Sequence, residues 1–153
     1  MSFLILDEWI WADLLGENGV VKQKESFRFI VAVYEKCDQL FTAEQSKFMV
    51  KAFGFLKCGD IPRRKIAKIL SRNFIFNDRK LKGFKESELS FLQENILKSV
   101  NVDDHYLLQV YFTKPDSTII TTDGRLISKL IEYSISYEHR DTFIPSYISK
   151  YAK

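Results

Sequence analysis

Ser117-Thr118-Ile119-Ile120-Thr121-Thr122-Asp123-Gly124 is the stretch that decides the fold. β-Branched and apolar residues run unbroken to Thr121, and the run then ends on an acid and a glycine. A short continuous run of this kind suits a strand buried on both faces, as in a parallel sheet. Phe3-Leu4-Ile5-Leu6-Asp7 has the same form at the start of the chain. In parallel α/β sheets ligands gather beyond the carboxyl ends of the strands, so two strands that end in Asp can bring Asp7 and Asp123 into one crevice.

Around these two strands the pattern turns helical. Trp9 to Leu15 reads as a helix that Gly16 and Asn18-Gly19 break. Ser26 is placed to cap a helix with Phe27, Ile30, Val31 and Tyr34 at helical spacing. Gln39 to Phe41 predicts a second strand, and Thr42 a cap for a helix over Ala43 to Leu56, with Phe48, Ala52, Phe55 and Leu56 on one face. Pro62 suits the first turn of a helix over 62–72. Residues 73–85 read as a basic loop or short helix, and Glu86 to Lys98 as a helix. Asp103-Asp104 opens a helix from His105 to Phe112, since carboxylates favour helix N-termini. Pro115-Asp116 is a turn, Leu126 to Ser134 a helix, and a last short strand near Tyr137 or Phe143 precedes a C-terminal turn. Strands alternating with helices predict an α/β fold with a parallel sheet in a single domain over 1–153.

The bulk properties narrow the class. The chain has 153 residues, 46% of them apolar, which is enough for one real core. The 13 Phe predict an aromatic-rich interior. The net charge of +3 does not by itself imply nucleic acid. Cys37 and Cys58 are too few for a disulfide framework and read as free buried thiols. No apolar run approaches the ~18 residues of a spanning helix. The first residues lack a basic region and reach Asp7 too soon for a signal peptide. The expectation is a cytoplasmic protein with no membrane partner. No Cys/His cluster has zinc spacing, and Gly54, Gly59, Gly83 and Gly124 are isolated, so there is no glycine-rich phosphate loop.

Asp7 and Asp123 follow strands, and Asp104 stands at a helix start that can lie near the same sheet edge. Three packed carboxylates repel one another and resist ionisation unless a cation is present. Mg²⁺ or Mn²⁺ prefers oxygen ligands and relieves that repulsion. Each residue also has an ordinary reading, since an Asp after a strand is often a turn former or a helix cap.

Two segments add a family. Ser2–Leu15, a strand, Asp7 and an amphipathic helix, resembles the opening of PIN domains. Asp103–Leu126, reading DDHYLLQVYFTKPDSTIITTDGRL, resembles their C-terminal half, where an Asp opens a helix and a strand then ends in Thr-Thr-Asp. The resemblance implies a three-layer α/β/α fold with a central, mostly parallel sheet of four to five strands. It implies a metal-dependent endoribonuclease that cleaves single-stranded RNA with a water activated at an Asp-rich Mg²⁺ or Mn²⁺ site. Asp7, Asp104 and Asp123 correspond to the metal-site acids, with Asp103 as the close alternative to Asp104. Asp104 is preferred because Leu107, Leu108 and Tyr111 then face inward. Thr121 or Thr122 would support the site through its hydroxyl. The family also has a Glu near the start of the helix after the second strand. Glu44 is the nearest candidate and Glu35 the second, while Ser46 and Lys47 occupy the places where that acid is expected.

A basic helical segment at about 57–100 is the expected RNA contact. Arg63, Arg64, Lys65 and Lys68 lead a run that continues to Lys85, with Phe74, Phe76 and Phe84 interleaved. The ordinary reading of such a run is a solvated helix face. Arg125, next but one after Asp123, is placed to reach a phosphate. His105, His139, Trp9 and Trp11 read as structural. A toxin nuclease with a protein antitoxin, an RNA-processing enzyme and a homodimer all accord with the family. The alternative class is a catalytically weak PIN-like module that binds RNA or a protein. A phosphatase of the haloacid dehalogenase type would need a second Asp where Trp9 stands.

Overall fold

The computed structural model describes residues 1–57, 59 and 61–150, with only the backbone at 61–63. Cys58 and the Arg63 side chain, both named above, lie outside the described residues. Among the described residues five strands form one sheet: β1 (Phe3–Leu6), β2 (Gln39–Ala43), β3 (Leu81–Phe84), β4 (Thr118–Thr121) and β5 (Tyr137–His139). The order is β3-β2-β1-β4-β5, and every neighbouring pair is parallel. The helices are α1 (Trp9–Leu14), α2 (Val20–Glu35), α3 (Lys47–Leu56), α4 (Ile61–Leu70), α5 (Glu94–Ser99), α6 (His105–Thr113), α7 (Gly124–Glu132) and α8 (Arg140–Ser149). The architecture is three-layer α/β/α. Helix α6 packs across β1, β2 and β4, while α8 packs on β4, β5 and α2.

The continuous apolar runs are the central strands. Leu4, Ile5 and Leu6 of β1 and Ile119 and Ile120 of β4 are buried. They pair in register, Ile5 beside Ile119 and Leu6 beside Ile120. From β1 the chain steps outward through β2 to β3, then returns past β1 to lay down β4 and β5. The direction of winding therefore reverses between β1 and β4. Strands flanking such a reversal diverge in where their connections go, and this opens a crevice at their carboxyl ends.

The expected interior is aromatic. Trp11 packs between Phe48 and Phe55, with ring centroids 5.2 and 5.8 Å away. Phe29 meets Phe143 and Tyr147 edge-on, and Phe41 stacks on Phe84.

Several local expectations are corrected. Residues 81–84, expected as part of a basic loop, form β3. Its Leu81 and Phe84 are buried and its Lys82 exposed, so charges on an edge strand concealed it. β2 continues through Thr42 to Ala43, and Ser46 rather than Thr42 caps the next helix by accepting the Met49 N–H at 3.3 Å. Thr42 is buried, with its hydroxyl 3.3 Å from that of Ser46. Within Glu86 to Lys98 only Glu94 onwards is α-helical. Leu89 is extended, and the Ser90 N–H donates to the Thr113 hydroxyl at 2.9 Å. The C-terminal turn is the helix α8, which contains Phe143. Cys37 is free but exposed, not buried.

Ser26, expected as a cap, lies inside α2, where its hydroxyl donates to Asp13 Oδ2 at 2.7 Å. The same Asp13 oxygen accepts from Arg140 Nε at 2.9 Å, and Arg140 Nη1 reaches Glu25 at 2.9 Å. Arg140 and Asp13 are 2% and 1% exposed. This buried pair ties α8 to α1 and α2, which places the helix that directly follows Asp7. Among the described residues no helix is long and apolar enough to cross a membrane.

Candidate functional site

The β1–β4 crevice holds the acids. Asp7 directly follows β1, and its N–H extends the ladder by donating to the Ile120 carbonyl at 3.2 Å. The Trp9 indole N–H donates to the same carbonyl at 2.9 Å and so pins the start of α1 to β4. Asp123 is two residues past β4, and Asp104 directly precedes α6. All three line one open cleft of about 400 Å³, together with Glu8, Asp103 and Thr122.

Each acid is held differently. Asp7 Oδ1 accepts the Glu8 N–H at 2.7 Å, and its Oδ2 accepts the Thr121 hydroxyl at 2.8 Å. Thr121 also accepts the Asp123 N–H at 3.1 Å, so one buried hydroxyl sets the spacing of the two strand ends. Asp123 caps α7 through Oδ1, which accepts the N–H groups of Arg125 and Leu126 at 2.9 and 3.4 Å. The Asp104 carboxylate has no hydrogen-bond or ion-pair partner among the described residues.

Electrostatics link the three. Burial raises the Asp7 carboxyl above its ordinary value. The Glu8 N–H and the Thr121 hydroxyl oppose that rise, and the charges of Glu8 and Asp123 add to it. Asp104 is pushed up to about 6, first by burial and then by the charges of Asp7 and Asp123. Two carboxylates that raise a third are close enough to resist sharing negative charge. Behind them lies the Tyr106 hydroxyl, buried and without a partner among the described residues. Burial first, then Asp7, Glu8 and Asp104, hold this phenol above its ordinary range.

The donor set, oxygen only and mutually repelling, fits a hard divalent cation. Among the described residues, however, no three His, Cys, Asp or Glu side chains stand in ligating geometry. The fit is therefore one of donor type and location.

The other expected residues divide. Asp103 is exposed and pairs with Lys47, leaving Asp104 as the half-buried member of the two. Thr122 lines the cleft, but Thr121 is the residue that supports it. Glu44 does not join the three Asp. It follows β2 on the side towards β3, packs over Gly83, and lines a different cleft with Met49 and Phe53. The register explains this, because β2 runs two residues further than expected and Ser46 starts α3. The cleft-facing residues of α3 are then Lys47 and Lys51, and Lys51 bridges to Glu8 at 2.8 Å. Glu35 is exposed at the end of α2 and does not line the acid cleft.

Arg64, Lys65 and Lys68 are exposed on α4, away from the acid cleft, and Arg64 donates to the Gly59 carbonyl at 2.9 Å. Of the interleaved aromatics only Phe76 is exposed. Arg125 lines a groove that adjoins the cleft. His105 Nε2 lies 2.9 Å from the Val100 carbonyl, and His139 caps α8, so both histidines have local structural partners. Sequence reasoning missed Glu8 as a cleft acid, although its place beside Asp7 was a usable signal. It also missed Asn18 and Asn101, which carry no such signal and reach the cleft through loop geometry. No protein-family model, curated protein or solved structure matches this chain.

Proposed function

We propose that this chain is a metal-dependent endoribonuclease of the PIN type that cleaves single-stranded RNA at the carboxyl edge of β1 and β4. The observation that carries the reading is that Asp7, Asp104 and Asp123 line one cleft at the point where the sheet reverses its winding, with Asp104 raised first by burial and then by the charges of the other two. Mg²⁺ or Mn²⁺ bound there would supply charge stabilisation at a phosphoryl oxygen and a more acidic water. The chain's own groups do the positioning. Thr121 holds Asp7 and the Asp123 backbone at a fixed separation, and the first turn of α7 holds Asp123. Asp104, without a hydrogen-bond partner among the described residues, is free to turn towards a cation. Lys47 and Lys51 neutralise Asp103 and Glu8, so these outer acids repel an approaching phosphodiester less.

The test is incubation of labelled single-stranded RNA with Mn²⁺ and either wild type, Asp7→Asn or Asp123→Asn. Cleavage by wild type and its loss in both variants supports the reading, whereas equal cleavage by all three sinks it. One observation favours a second reading. Glu44 stands away from the cleft and Lys47 faces it, which suits a catalytically weak module that binds RNA or a protein partner. Absent cleavage with retained, salt-sensitive RNA binding selects that module.

A further inference from the structure

Two grooves meet at the acids. Asp104 and Asp123 belong both to the acid cleft and to a second groove of about 480 Å³, which runs between Ser99–Asn101 and α7. That volume lies within the roughly 300–1,000 Å³ typical of ligand pockets. The polar groups of this second groove are largely occupied. The Ser99 hydroxyl pairs with Tyr133 at 2.5 Å, Ser128 donates to the Gly124 carbonyl at 3.1 Å, and Lys129 bridges Glu132 at 2.9 Å. Asn101 accepts the Asp103 N–H through its side-chain oxygen at 3.0 Å, and its amide N–H₂ has no partner among the described residues. The Arg125 guanidinium has no hydrogen bond or ion pair among the described residues. Apart from the acids that this groove shares with the acid cleft, the groups without a full set of partners among the described residues are thus both donors, and one of them is a planar cation suited to a phosphate.

We infer that this second groove seats the nucleotide next to the reacting phosphodiester, with the Arg125 guanidinium on that nucleotide's phosphate and the Asn101 amide beside it. The inference rests on the ribonuclease reading and names where its substrate runs. It routes the strand along α7, whereas the exposed lysines of α4 line neither groove.

The experiment measures binding of a fluorescein-labelled single-stranded RNA dodecamer to full-length Asp7→Asn protein in Mn²⁺, from 50 to 200 mM salt. Arg125→Ala is expected to weaken binding about tenfold or more and to lower the slope of log affinity against log salt by about 0.7, the value for one single-strand phosphate contact. Arg125→Lys should restore the slope but not the full affinity, because the charge returns without the bidentate fork. Lys65→Ala/Lys68→Ala should change neither quantity. Unchanged affinity and slope in Arg125→Ala overturns the groove assignment while leaving the ribonuclease reading standing if wild type cleaves. Loss of binding in Lys65→Ala/Lys68→Ala alone moves the strand to α4 and likewise overturns it. If the parent does not bind and wild type does not cleave, the ribonuclease reading and the groove assignment are overturned together.

Discussion

Asp104→Asn should make the metal-free protein more stable at neutral pH. Burial and the charges of Asp7 and Asp123 carry the Asp104 carboxyl from an ordinary 3.8 up to about 6. That change corresponds to ~3 kcal/mol of preference for the neutral form. Asp104 is only half-buried, and solvent screening reduces the figure to about 1 kcal/mol. The folded chain holds this proton more tightly than the unfolded one, so between pH ~4 and ~6 the native state binds more protons. Stability therefore falls as pH rises through that window, and the whole penalty is present above pH 6. Asn is neutral throughout, and because the Asp104 side chain makes no capping hydrogen bond, the substitution removes no cap. Thermal unfolding in chelator at pH 7.5 should show the variant about 2–4 °C above wild type, as expected for ~1 kcal/mol in a domain of this size. At pH 4 the two should converge. A variant less stable at pH 7.5, or an advantage that does not change with pH, would refute the electrostatic coupling of the three acids.

Three further outcomes follow from particular contacts. Arg140→Ala strands Asp13 in the core and should cost roughly 3–5 kcal/mol in urea unfolding, and a loss below 1 kcal/mol would contradict the buried pair. Thr121→Val removes the hydroxyl shared by Asp7 and Asp123. It should cost about 1–3 kcal/mol and weaken Mn²⁺ uptake measured by calorimetry, and unchanged uptake would show that the strand ends keep their spacing without it. Tyr106→Phe deletes a buried hydroxyl that has no partner among the described residues and should leave the melting temperature of the metal-free protein unchanged or raised. A fall of several degrees would mean that this hydroxyl has a structural partner.

The sequence revealed the middle of the sheet better than its margins. β1 and β4 are buried on both faces and therefore stand out as unbroken apolar runs, each with its acid attached. β3 carries Lys82 and Gly83 because it is an edge, and edge chemistry imitates a loop. Two features were illegible for a different reason. Arg140 and Asp13 are 127 positions apart, and nothing near either residue shows that the other will neutralise it. Glu44 is near the right place in sequence, but two extra residues of β2 turn it towards β3 and leave Lys47 and Lys51 at the cleft. Asp7 and Asp123 could be placed because strand ends determine location, and Asp104 because the helix it precedes starts at the same edge, whereas the position of Glu44 depended on where β2 ends and α3 begins, which local sequence specifies poorly.

The central claim, that Asp7, Asp104 and Asp123 converge on one divalent cation, is tested most directly by Mn²⁺ titration of the metal-stripped protein followed by electron paramagnetic resonance. Wild type should take up Mn²⁺ with saturation, and Asp7→Asn, Asp104→Asn and Asp123→Asn should each weaken uptake at least tenfold while remaining folded. A wild type that takes up no Mn²⁺, or three variants that bind it as wild type does, would contradict the account.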